Sequence, residues 1–501
     1  METSLDRAAL LSRAREHHAR GELDKARIGY QLVVDRFPRD IEATAQELLC
    51  SIHICQWQRY EYLQRVLRDT VRHAGGNVVG EPVLASPFFD ADDLRTIAHR
   101  HAQTICGKVA NSPQRSHTVA GQPDDLSPEH ARTPGRLRVG FLGADFHDQA
   151  TTYLMVGLIE HHDRTGFEYI AYDYGPAPDD AARRRIIAAF DQFSRVAHLA
   201  NRDIADQIRR DHIDVLIFLR NPADPRCDVL AMRPAPLQLA YLYNPSGFGF
   251  PLVDYLIADS IVVPPELEHH YTERIARLPR CYQPNDIRRP LPQALPREQF
   301  GLPRDRFVLA NMGSPFKITP AIFDIWCEIL RRHPGCVLWL LEPRDDVAAN
   351  LRREASIRGV DPCRLVFAAL EPTDRHISRL ACADLMLDTY PYGGHTGSSD
   401  ALWAGVPLVT LAGETFASRV AASLLGAVGL YDLVAHSGSG YVQTISRLIE
   451  DRPRHEAYRA YLAAQRPNLP LFDIQTYARD FERMLAGLAA TLPAPPSSTP
   501  A

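Results

Sequence analysis

The residues best suited to chemistry lie in a glycine-rich segment, residues 388–400, which reads Asp-Thr-Tyr-Pro-Tyr-Gly-Gly-His-Thr-Gly-Ser-Ser-Asp. An apolar run typical of a strand ends where this segment begins, and a helical pattern follows it. Glycines such as Gly394 and Gly397 let the backbone turn tightly and come close to a ligand. The free N–H groups at the start of the following helix favour an anion, for example a diphosphate.

Polar side chains at the end of this segment add further candidate contacts. Ser398 or Ser399 could cap the helix and also reach a phosphate oxygen. Asp400 is negatively charged at neutral pH, so it suits a ribose hydroxyl rather than a phosphate. A plain turn followed by a capped helix would give the same pattern, and a glycine-rich loop alone does not separate the two interpretations.

A lysine occupies a comparable place after another strand-like run. Lys317 follows the apolar run 307–311 and precedes a helical pattern near 319–332, so we expect it at the carboxyl edge of the same parallel sheet. A cation there would neutralise charge that develops on a leaving diphosphate without help from a metal. The chain has only three lysines, Lys25, Lys108 and Lys317, which argues against an ordinary surface role for Lys317.

Two further segments of the second half bring polar residues to the same edge. Thr415 could cap the helical stretch that follows it, and Arg419 lies in that stretch. The acidic-then-basic order from Glu414 to Arg419 is also explained by helix-terminal electrostatics. His376 begins the helix before the strand near 385 and could stack on a base, although a lone histidine is more often structural.

The first half carries a comparable cluster. Asp145, His147 and Asp148 follow the strand-like run 137–142, at an edge where a second substrate would lie. A carboxylate or an imidazole there could take a proton from a hydroxyl nucleophile. A turn built from ordinary turn-forming residues explains the cluster equally well.

The candidate residues must be held at the edges of sheets by strands and helices. The hydrophobic pattern indicates two separate groups of such elements. Apolar runs such as 137–142, 153–159 and 167–172 alternate with amphipathic stretches, and the alternation restarts at residue 307. Such alternation predicts parallel strands joined by crossover helices. We therefore expect an α/β protein with two doubly wound Rossmann-like domains and a cleft between them.

Residues 8–45 predict a helical hairpin with the spacing of one tetratricopeptide unit. Gly21 lies in the turn, and Pro38 follows the second helix. A single unit cannot bury its own apolar face, so it should dock onto the rest of the chain. The inward side chains are expected to be Leu10, Ala14, His17, Ala26, Tyr30 and Val33.

Changes in hydrophobic pattern and composition along the chain predict the domain boundaries. We predict an all-α, tetratricopeptide-like N-terminal region at 1–108, a linker at 109–135 and an N-terminal Rossmann-like, acceptor-side domain at 136–285. A C-terminal Rossmann-like, donor-binding domain follows at 297–488, and residues 489–501 form a disordered tail rich in Pro and Ser.

Composition argues against several classes of protein. The 501 residues carry a net charge of −5 without a basic stripe, so nucleic-acid binding is not expected. No stretch approaches the roughly 20 apolar residues of a membrane span, and the first residues lack a signal-peptide core. Nine cysteines without a Cys-x-x-Cys pair predict a reduced, cytoplasmic setting and no metal site.

Taken together, the motifs resemble the O-GlcNAc transferase family, including its bacterial O-linked N-acetylglucosaminyltransferases. The resemblance covers nearly the whole chain, and such an ordered set of motifs is more specific than any one of them. The matching segments are the Cys-x-Trp region around Trp57, 137–141, 232–238, 337–341, 394–396 with Asp400, 402–405 and 413–423.

The resemblance implies a GT-B fold and an inverting, metal-independent reaction without a cofactor. N-acetylglucosamine would pass from UDP-N-acetylglucosamine (UDP-GlcNAc) to Ser or Thr hydroxyls of a protein or peptide acceptor. Asp145 matches a candidate proton acceptor or relay. The donor contacts implied by the resemblance are Lys317 on the diphosphate, His395 and Thr396 on phosphate and sugar, Asp400 on the ribose and His376 on the uracil.

The chain departs from the family pattern on the acceptor side and in the base pocket. Gln149 stands where the family has a His, and Phe316 stands where it has a Tyr before the key Lys. Ser314 and Thr373 replace a Gln and a Lys, and residues 84–88 lack the acceptor-side His. These departures leave open another sugar nucleotide or acceptor on the same fold, or a catalytically weak nucleotide-sugar-binding adaptor.

Overall fold

The computed structural model describes residues 2–74, 88–111, 135–243, 245–341 and 344–491. Most of the predicted linker and tail, and of the segment that lacks the acceptor-side His, lies outside these ranges. The chain forms two compact units, each built from two stretches of sequence. Unit A contains residues 1–97 and 288–470, and unit B contains residues 98–287 and 471–501.

Four helices open unit A, and the first two form the predicted hairpin. Gly21 lies in its turn with a left-handed φ of 72°, which glycine tolerates best. The two helices approach closely at Gly29, because a Cβ atom there would lie 2.9 Å from that of Ala14. Leu11 fills the core position that the sequence pattern assigned to Leu10. The four helices are α1 (Glu2–Ala19), α2 (Leu23–Arg36), α3 (Ile41–His53) and α4 (Tyr60–Asp69).

The first sheet is parallel, has seven strands and belongs to unit B. Its order is β3-β2-β1-β4-β5-β6-β7, so the order reverses between β1 and β4. The strands are β1 (Leu137–Gly143), β2 (Phe167–Asp173), β3 (Gln192–Arg195), β4 (Val215–Phe218), β5 (Leu237–Ala240), β6 (Tyr255–Asp259) and β7 (Arg274–Leu278). The helices before and between them are α5 (Ala91–Ala110), α6 (Ala150–Glu160), α7 (Ala181–Ala189), α8 (Asn201–Arg210) and α9 (Cys227–Ala231).

The second sheet is also parallel, has six strands and belongs to unit A. Its order is β10-β9-β8-β11-β12-β13, with the reversal between β8 and β11. The strands are β8 (Phe307–Asn311), β9 (Cys336–Leu341), β10 (Leu365–Ala368), β11 (Leu385–Leu387), β12 (Leu408–Leu411) and β13 (Val434–Ala435). The helices are α10 (Pro320–Arg332), α11 (Asp345–Ile357), α12 (Thr373–Leu380), α13 (Thr396–Trp403), α14 (Val420–Ala427), α15 (Gly438–Glu450) and α16 (Arg452–Gln465), and α17 (Ile474–Ala489) belongs to unit B.

The helical hairpin region docks onto helices of the second sheet, as a single repeat requires. Asn350 of α11 donates a hydrogen bond of 2.7 Å from Nδ2 to the Ile54 carbonyl, directly after α3. The ring centres of Trp57 and Phe323 lie 5.4 Å apart, which joins the connection after α3 to α10. The end of α3 is therefore fixed within the same compact unit as the glycine-rich segment.

The predicted α/β fold, with two doubly wound sheets and a helical N-terminal region, is confirmed. Strands β8 and β9 are buried along nearly their whole length, which explains their continuous apolar sequence, since parallel strands are covered by helices on both faces. Across the described ranges, no helix is long and apolar enough to cross a membrane.

Candidate active site

The predicted site residues gather where each sheet reverses its strand order. In unit A the loops after β8 and β11 carry Lys317 and the segment 388–400. In unit B the loops after β1 and β4 carry Asp145 and Arg220. Ligands of doubly wound sheets bind outside the carboxyl ends of the strands at such a reversal. Each unit therefore has one candidate site, and the richer one lies in unit A.

Lys317 contacts the glycine-rich loop directly. Its Nζ donates a hydrogen bond of 2.9 Å to the Gly393 carbonyl and lies 4.1 Å from the centre of the Tyr392 ring. Burial lowers the pKa of Lys317 to about 8, although the nearby charge of Asp388 acts to raise it. The structure thus brings together the lysine and the loop that the sequence pattern placed at one sheet edge.

The glycine-rich loop is anchored by the buried carboxylate of Asp388. Its Oδ1 accepts the N–H of Gly394 at 2.6 Å and that of Thr389 at 3.0 Å, and its Oδ2 accepts the Thr410 hydroxyl at 2.6 Å. Burial raises the pKa of Asp388 to about 6, against these hydrogen bonds and the Lys317 charge, which lower it. Sequence reasoning used Asp388 only to mark the end of a strand and missed this anchoring role.

The glycines of the loop serve close packing rather than a left-handed backbone, since none of them has a positive φ. A Cβ atom at Gly393 would lie 2.8 Å from Asp388 Oδ2, and one at Gly394 would collide with Ser398 Oγ. A Cβ atom at Gly397 would meet nothing within 4 Å. Gly397, in the first turn of α13, therefore has open space beside it that another molecule could occupy.

Helix α13 starts at Thr396 with His395 as its N-cap residue, so the predicted capping by Ser398 or Ser399 is wrong. Both serines lie in the first turn, where the Ser399 hydroxyl donates a hydrogen bond of 2.9 Å to the Thr396 carbonyl. The buried Nε2 of His395 has no hydrogen-bond partner among the described residues. Burial, followed by the Lys317 charge, holds the pKa of His395 well below its usual range, so the imidazole is neutral beside that ammonium.

The segment after β12 packs against the glycine-rich loop. The N–H of Gly393 donates a hydrogen bond of 3.0 Å to the Ala417 carbonyl. Thr415 is the N-cap residue of the short 3-10 helix Phe416–Ser418, as predicted, although its hydroxyl accepts no backbone N–H there. Helix α14 itself starts later, at Val420, with Arg419 as its N-cap residue. The Thr415 hydroxyl and the Arg419 guanidinium instead donate hydrogen bonds within the segment. These two hydrogen bonds make the segment after β12, which forms a wall beside the glycine-rich loop, more rigid.

Asp400 is paired with an arginine that sequence reasoning missed. Arg289 Nη1 donates a hydrogen bond of 2.5 Å to Asp400 Oδ1, across a separation of 111 residues in the sequence. Burial raises the pKa of Asp400, while the Arg289 charge lowers it. The indole Nε1 of Trp403 holds the neighbouring backbone through a 2.9 Å hydrogen bond to the Pro290 carbonyl. No local sequence pattern could have revealed that Arg289 pairs with Asp400.

His376 lies in the first turn of α12, which begins at Thr373 rather than at the histidine. Its Nδ1 accepts a hydrogen bond of 3.0 Å from Arg379. Burial, followed by the Arg379 charge, lowers the pKa of His376 to about 4. The ring is therefore neutral near pH 7, which suits stacking on a base.

In unit B the Asp145 carboxylate faces Arg220. The Nη1 of Arg220 donates hydrogen bonds of 2.8 and 3.1 Å to the two carboxylate oxygens, and the guanidinium lies 4.2 Å from the centre of the Tyr243 ring. His147 is half-buried, and Asp148 is exposed. Sequence reasoning missed Arg220, for which the available signal was a charged residue close behind an apolar strand.

The positive charges that line the unit A site belong to side chains. Lys317 contacts the glycine-rich loop, Arg289 contacts α13 and Arg379 contacts His376 on α12. Within the described part of the chain, no group of three or more His, Cys, Asp or Glu side chains could hold a metal ion.

Comparison with known sequences assigns the family. A family model described as glycosyl transferase family 41 matches residues 54–295 and 292–481. The chain belongs to glycosyl transferase family 41. The family 41 match includes both strand-order reversals and the glycine-rich segment, and it confirms the resemblance found in the sequence motifs.

Two curated relatives are longer than this chain. The probable UDP-N-acetylglucosamine–peptide N-acetylglucosaminyltransferase SEC of Arabidopsis thaliana is 34% identical over 356 residues, which cover 70% of this chain and 36% of the relative. The UDP-N-acetylglucosamine–peptide N-acetylglucosaminyltransferase of Caenorhabditis elegans is 25% identical over 551 residues, which cover 86% of this chain and 47% of the relative. The chain thus spans less than half the length of these curated relatives.

One solved structure is similar to this protein over nearly its whole length. A mutant of the O-GlcNAc transferase of Thermobaculum terrenum superposes with a TM-score of 0.68 and 26% sequence identity, over 98% of this chain and 99% of that one. The likeness confirms the predicted GT-B fold with its helical N-terminal region.

Two glycine variants should separate packing from ligand approach. Gly394→Ala should lower the free energy of unfolding by about 1–3 kcal/mol, because the added methyl overpacks the loop. Gly397→Ala should leave that free energy within about 0.5 kcal/mol and weaken UDP binding, because its methyl enters the open space. Thermal unfolding and UDP titration calorimetry measure the two effects. Unchanged UDP affinity in Gly397→Ala would contradict the assignment of this space to the nucleotide.

Proposed function

We propose that the protein transfers N-acetylglucosamine from UDP-GlcNAc to Ser or Thr hydroxyls of protein or peptide acceptors, as an inverting and metal-independent glycosyltransferase. Membership of family 41 and the peptide N-acetylglucosaminyltransferase activity named for the two relatives above support the reaction class. The observation that carries the proposal is Lys317 beside the start of α13, at the strand-order reversal of unit A.

The donor diphosphate lies against the first turn of α13 in this proposal. The positive end of the helix dipole and the backbone N–H groups at Thr396 and Gly397 favour an anion there. Thr396 adds a hydroxyl, and the neutral ring of His395 adds a polar atom, Nε2, that has no described partner. Lys317 supplies a full positive charge in direct contact with the loop.

The reaction breaks the bond between the anomeric carbon and the β-phosphate oxygen as the acceptor hydroxyl attacks from the opposite face. That geometry inverts the anomeric centre and releases UDP. Negative charge grows on the β-phosphate during bond cleavage, and Lys317 stabilises that charge more in the transition state than in the ground state. The hydroxyl proton must leave at the same time, and Asp145 and His147 are the proposed acceptors or relays.

Other side chains of unit A would recognise the nucleoside. Asp400 accepts a ribose hydroxyl in this proposal, and its pairing with Arg289 fixes the carboxylate. The neutral ring of His376 stacks on the uracil, held in place by Arg379. Thr415 and Arg419 line the wall after β12, within reach of the loop that contacts phosphate.

Acceptor choice and cellular setting belong to the proposal as well. The acceptor in this proposal is a polypeptide that presents a Ser or Thr hydroxyl. We also propose that the protein acts in the cytoplasm, without nucleic-acid or membrane partners. The thiols of Cys50 and Cys55 support this setting, because they are close in sequence, buried and not joined in a disulfide.

The first test measures UDP release from UDP-GlcNAc with and without acceptor protein, in buffer that contains EDTA. Acceptor-stimulated release should persist in EDTA, because Lys317 and the helix start supply the positive charge. Loss of release on chelation, restored by added Mg²⁺ or Mn²⁺, would refute metal independence. UDP binding without any release would instead favour another donor sugar or a non-catalytic adaptor, as the substitutions at Ser314, Phe316 and Thr373 allow.

Replacing Lys317 with methionine should reduce the transfer rate by about 100- to 1000-fold, since a transition-state charge contact of this kind contributes about 3–4 kcal/mol. Lys317→Met keeps the apolar stem beside Tyr392, so folding should be retained. Lys108→Met is the matched control, because Lys108 is exposed and pairs with Asp228 at 2.8 Å. Near-normal transfer by Lys317→Met would eliminate the leaving-group role.

The pH profile should follow the ammonium of Lys317. Because the pKa of Lys317 is lowered to about 8, the cation is populated below that pH and is lost as the pH rises through it. We therefore expect kcat/KM for the donor to fall about tenfold per pH unit above pH 8. The residual activity of Lys317→Met should show no such decline, and an identical decline in both proteins would assign it to another group.

A further inference from the structure

Four rings form a column that runs from the helical region to the donor site of unit A. The ring centres of His53 and Phe316 lie 5.2 Å apart, and those of Phe316 and Tyr392 lie 5.7 Å apart. Tyr392 is in turn 5.5 Å from His395. Separations of this size are those of interacting aromatic pairs. The column thus joins three segments that are far apart in the sequence.

Lys317 is held at the middle of this column. Its ammonium lies 4.1 Å from the centre of the Tyr392 ring and donates its 2.9 Å hydrogen bond to the Gly393 carbonyl. The other two lysines of the chain pair with carboxylates instead, Lys25 with Glu22 and Lys108 with Asp228. An aromatic face attracts a cation within about 6 Å without carrying a neutralising charge. Tyr392 can therefore hold the ammonium and leave its full charge available.

The outer end of the column is fixed by helix α3. His53 is its last residue, and the thiol of Cys55, two positions later, lies 3.9 Å from the Pro315 carbonyl. The 2.7 Å hydrogen bond from Asn350 to Ile54 secures the residue between them. The helical region therefore contacts the Pro315–Lys317 turn directly.

We propose that Tyr392 is a positioning residue for the Lys317 ammonium, and that the aromatic column ending at His53 makes helix α3 part of the donor site. The ring keeps the ammonium over the loop without cancelling its charge, whereas a carboxylate in the same place would compete with the diphosphate for it. Phe316 packs between His53 and Tyr392, so that His53 helps to hold the Tyr392 ring in place. The proposal rests on the proposed function only where it assigns Lys317 to the leaving group.

The first experiment needs no enzyme activity. Reductive methylation with ¹³C-formaldehyde labels the three lysines of the chain and its terminal α-amine, and Lys25→Arg and Lys108→Arg assign the lysine NMR signals. The Lys317 signal should be shifted upfield by the ring current of Tyr392. Tyr392→Phe should retain that shift, and Tyr392→Leu should abolish it. An unchanged Lys317 signal in Tyr392→Leu would overturn the proposal whatever the protein transfers.

The second experiment tests whether positioning matters for catalysis. Tyr392→Leu should lower kcat about tenfold, equivalent to about 1.4 kcal/mol, with little change in the KM for UDP-GlcNAc or in the unfolding midpoint. Tyr392→Phe should restore most of the rate. His53→Ala should lower kcat about threefold, and His53→Phe should restore it. Equal losses in the Phe and Leu variants at 392, or an unchanged kcat in His53→Ala, would overturn the column as a positioning device.

The two experiments separate the two proposals. If Lys317 shows the ring-current shift and its loss in Tyr392→Leu, but no donor yields UDP release, the position of the ammonium is supported and the proposed reaction fails. If release occurs but the shift is absent, the reaction stands and the positioning role of Tyr392 is refuted.

Discussion

The buried carboxylate of Asp388 is the interaction on which the unit A site depends. It lies at the end of β11 and collects the N–H groups of Thr389 and Gly394 together with the hydroxyl of Thr410. A buried carboxylate is costly unless such donors surround it. The loop therefore folds back around Asp388. This loop conformation determines where α13 starts, and thereby the exposure of Gly397. It also presents the Gly393 carbonyl to Lys317.

The sheets provide the frame for this arrangement. Each one reverses its strand order once, and the loops on either side of the reversal diverge and leave room for a ligand. In unit A the separated loops are joined by the Lys317–Gly393 hydrogen bond and by the Phe316–Tyr392 ring contact, and in unit B they are joined by the Asp145–Arg220 pair. The same topology thus holds a cation over a glycine-rich loop in one unit and a carboxylate–guanidinium pair in the other.

Much of the fold could be predicted from the sequence because buried parallel strands and glycine-rich loops have strong local signatures. The segment 388–400 and Lys317 were found for this reason. The apolar run 153–159 shows the limit, since it belongs to helix α6, which is buried on most sides. A helix of that kind loses its amphipathic period and does not differ by pattern from a buried strand.

Partners that are distant in the sequence could not be predicted. Arg289 and Asp400 are 111 residues apart, and Arg220 and Asp145 are 75 residues apart, so only the folded chain shows that they pair. The cap assignments at Ser398 and Ser399 failed for a different reason. Several hydroxyl residues lie near the start of α13, and the N-cap position falls on His395 instead.

The partly buried ammonium of Lys317 also gives the molecule a distinct chemical reactivity. With a pKa of about 8, roughly a tenth of this side chain is an uncharged amine at pH 7, whereas an ordinary lysine titrates near 10.4. An uncharged amine is a nucleophile. A mild acylating reagent would therefore modify this one residue in preference to the two surface lysines, and would act as a covalent label beside the glycine-rich loop that Lys317 contacts.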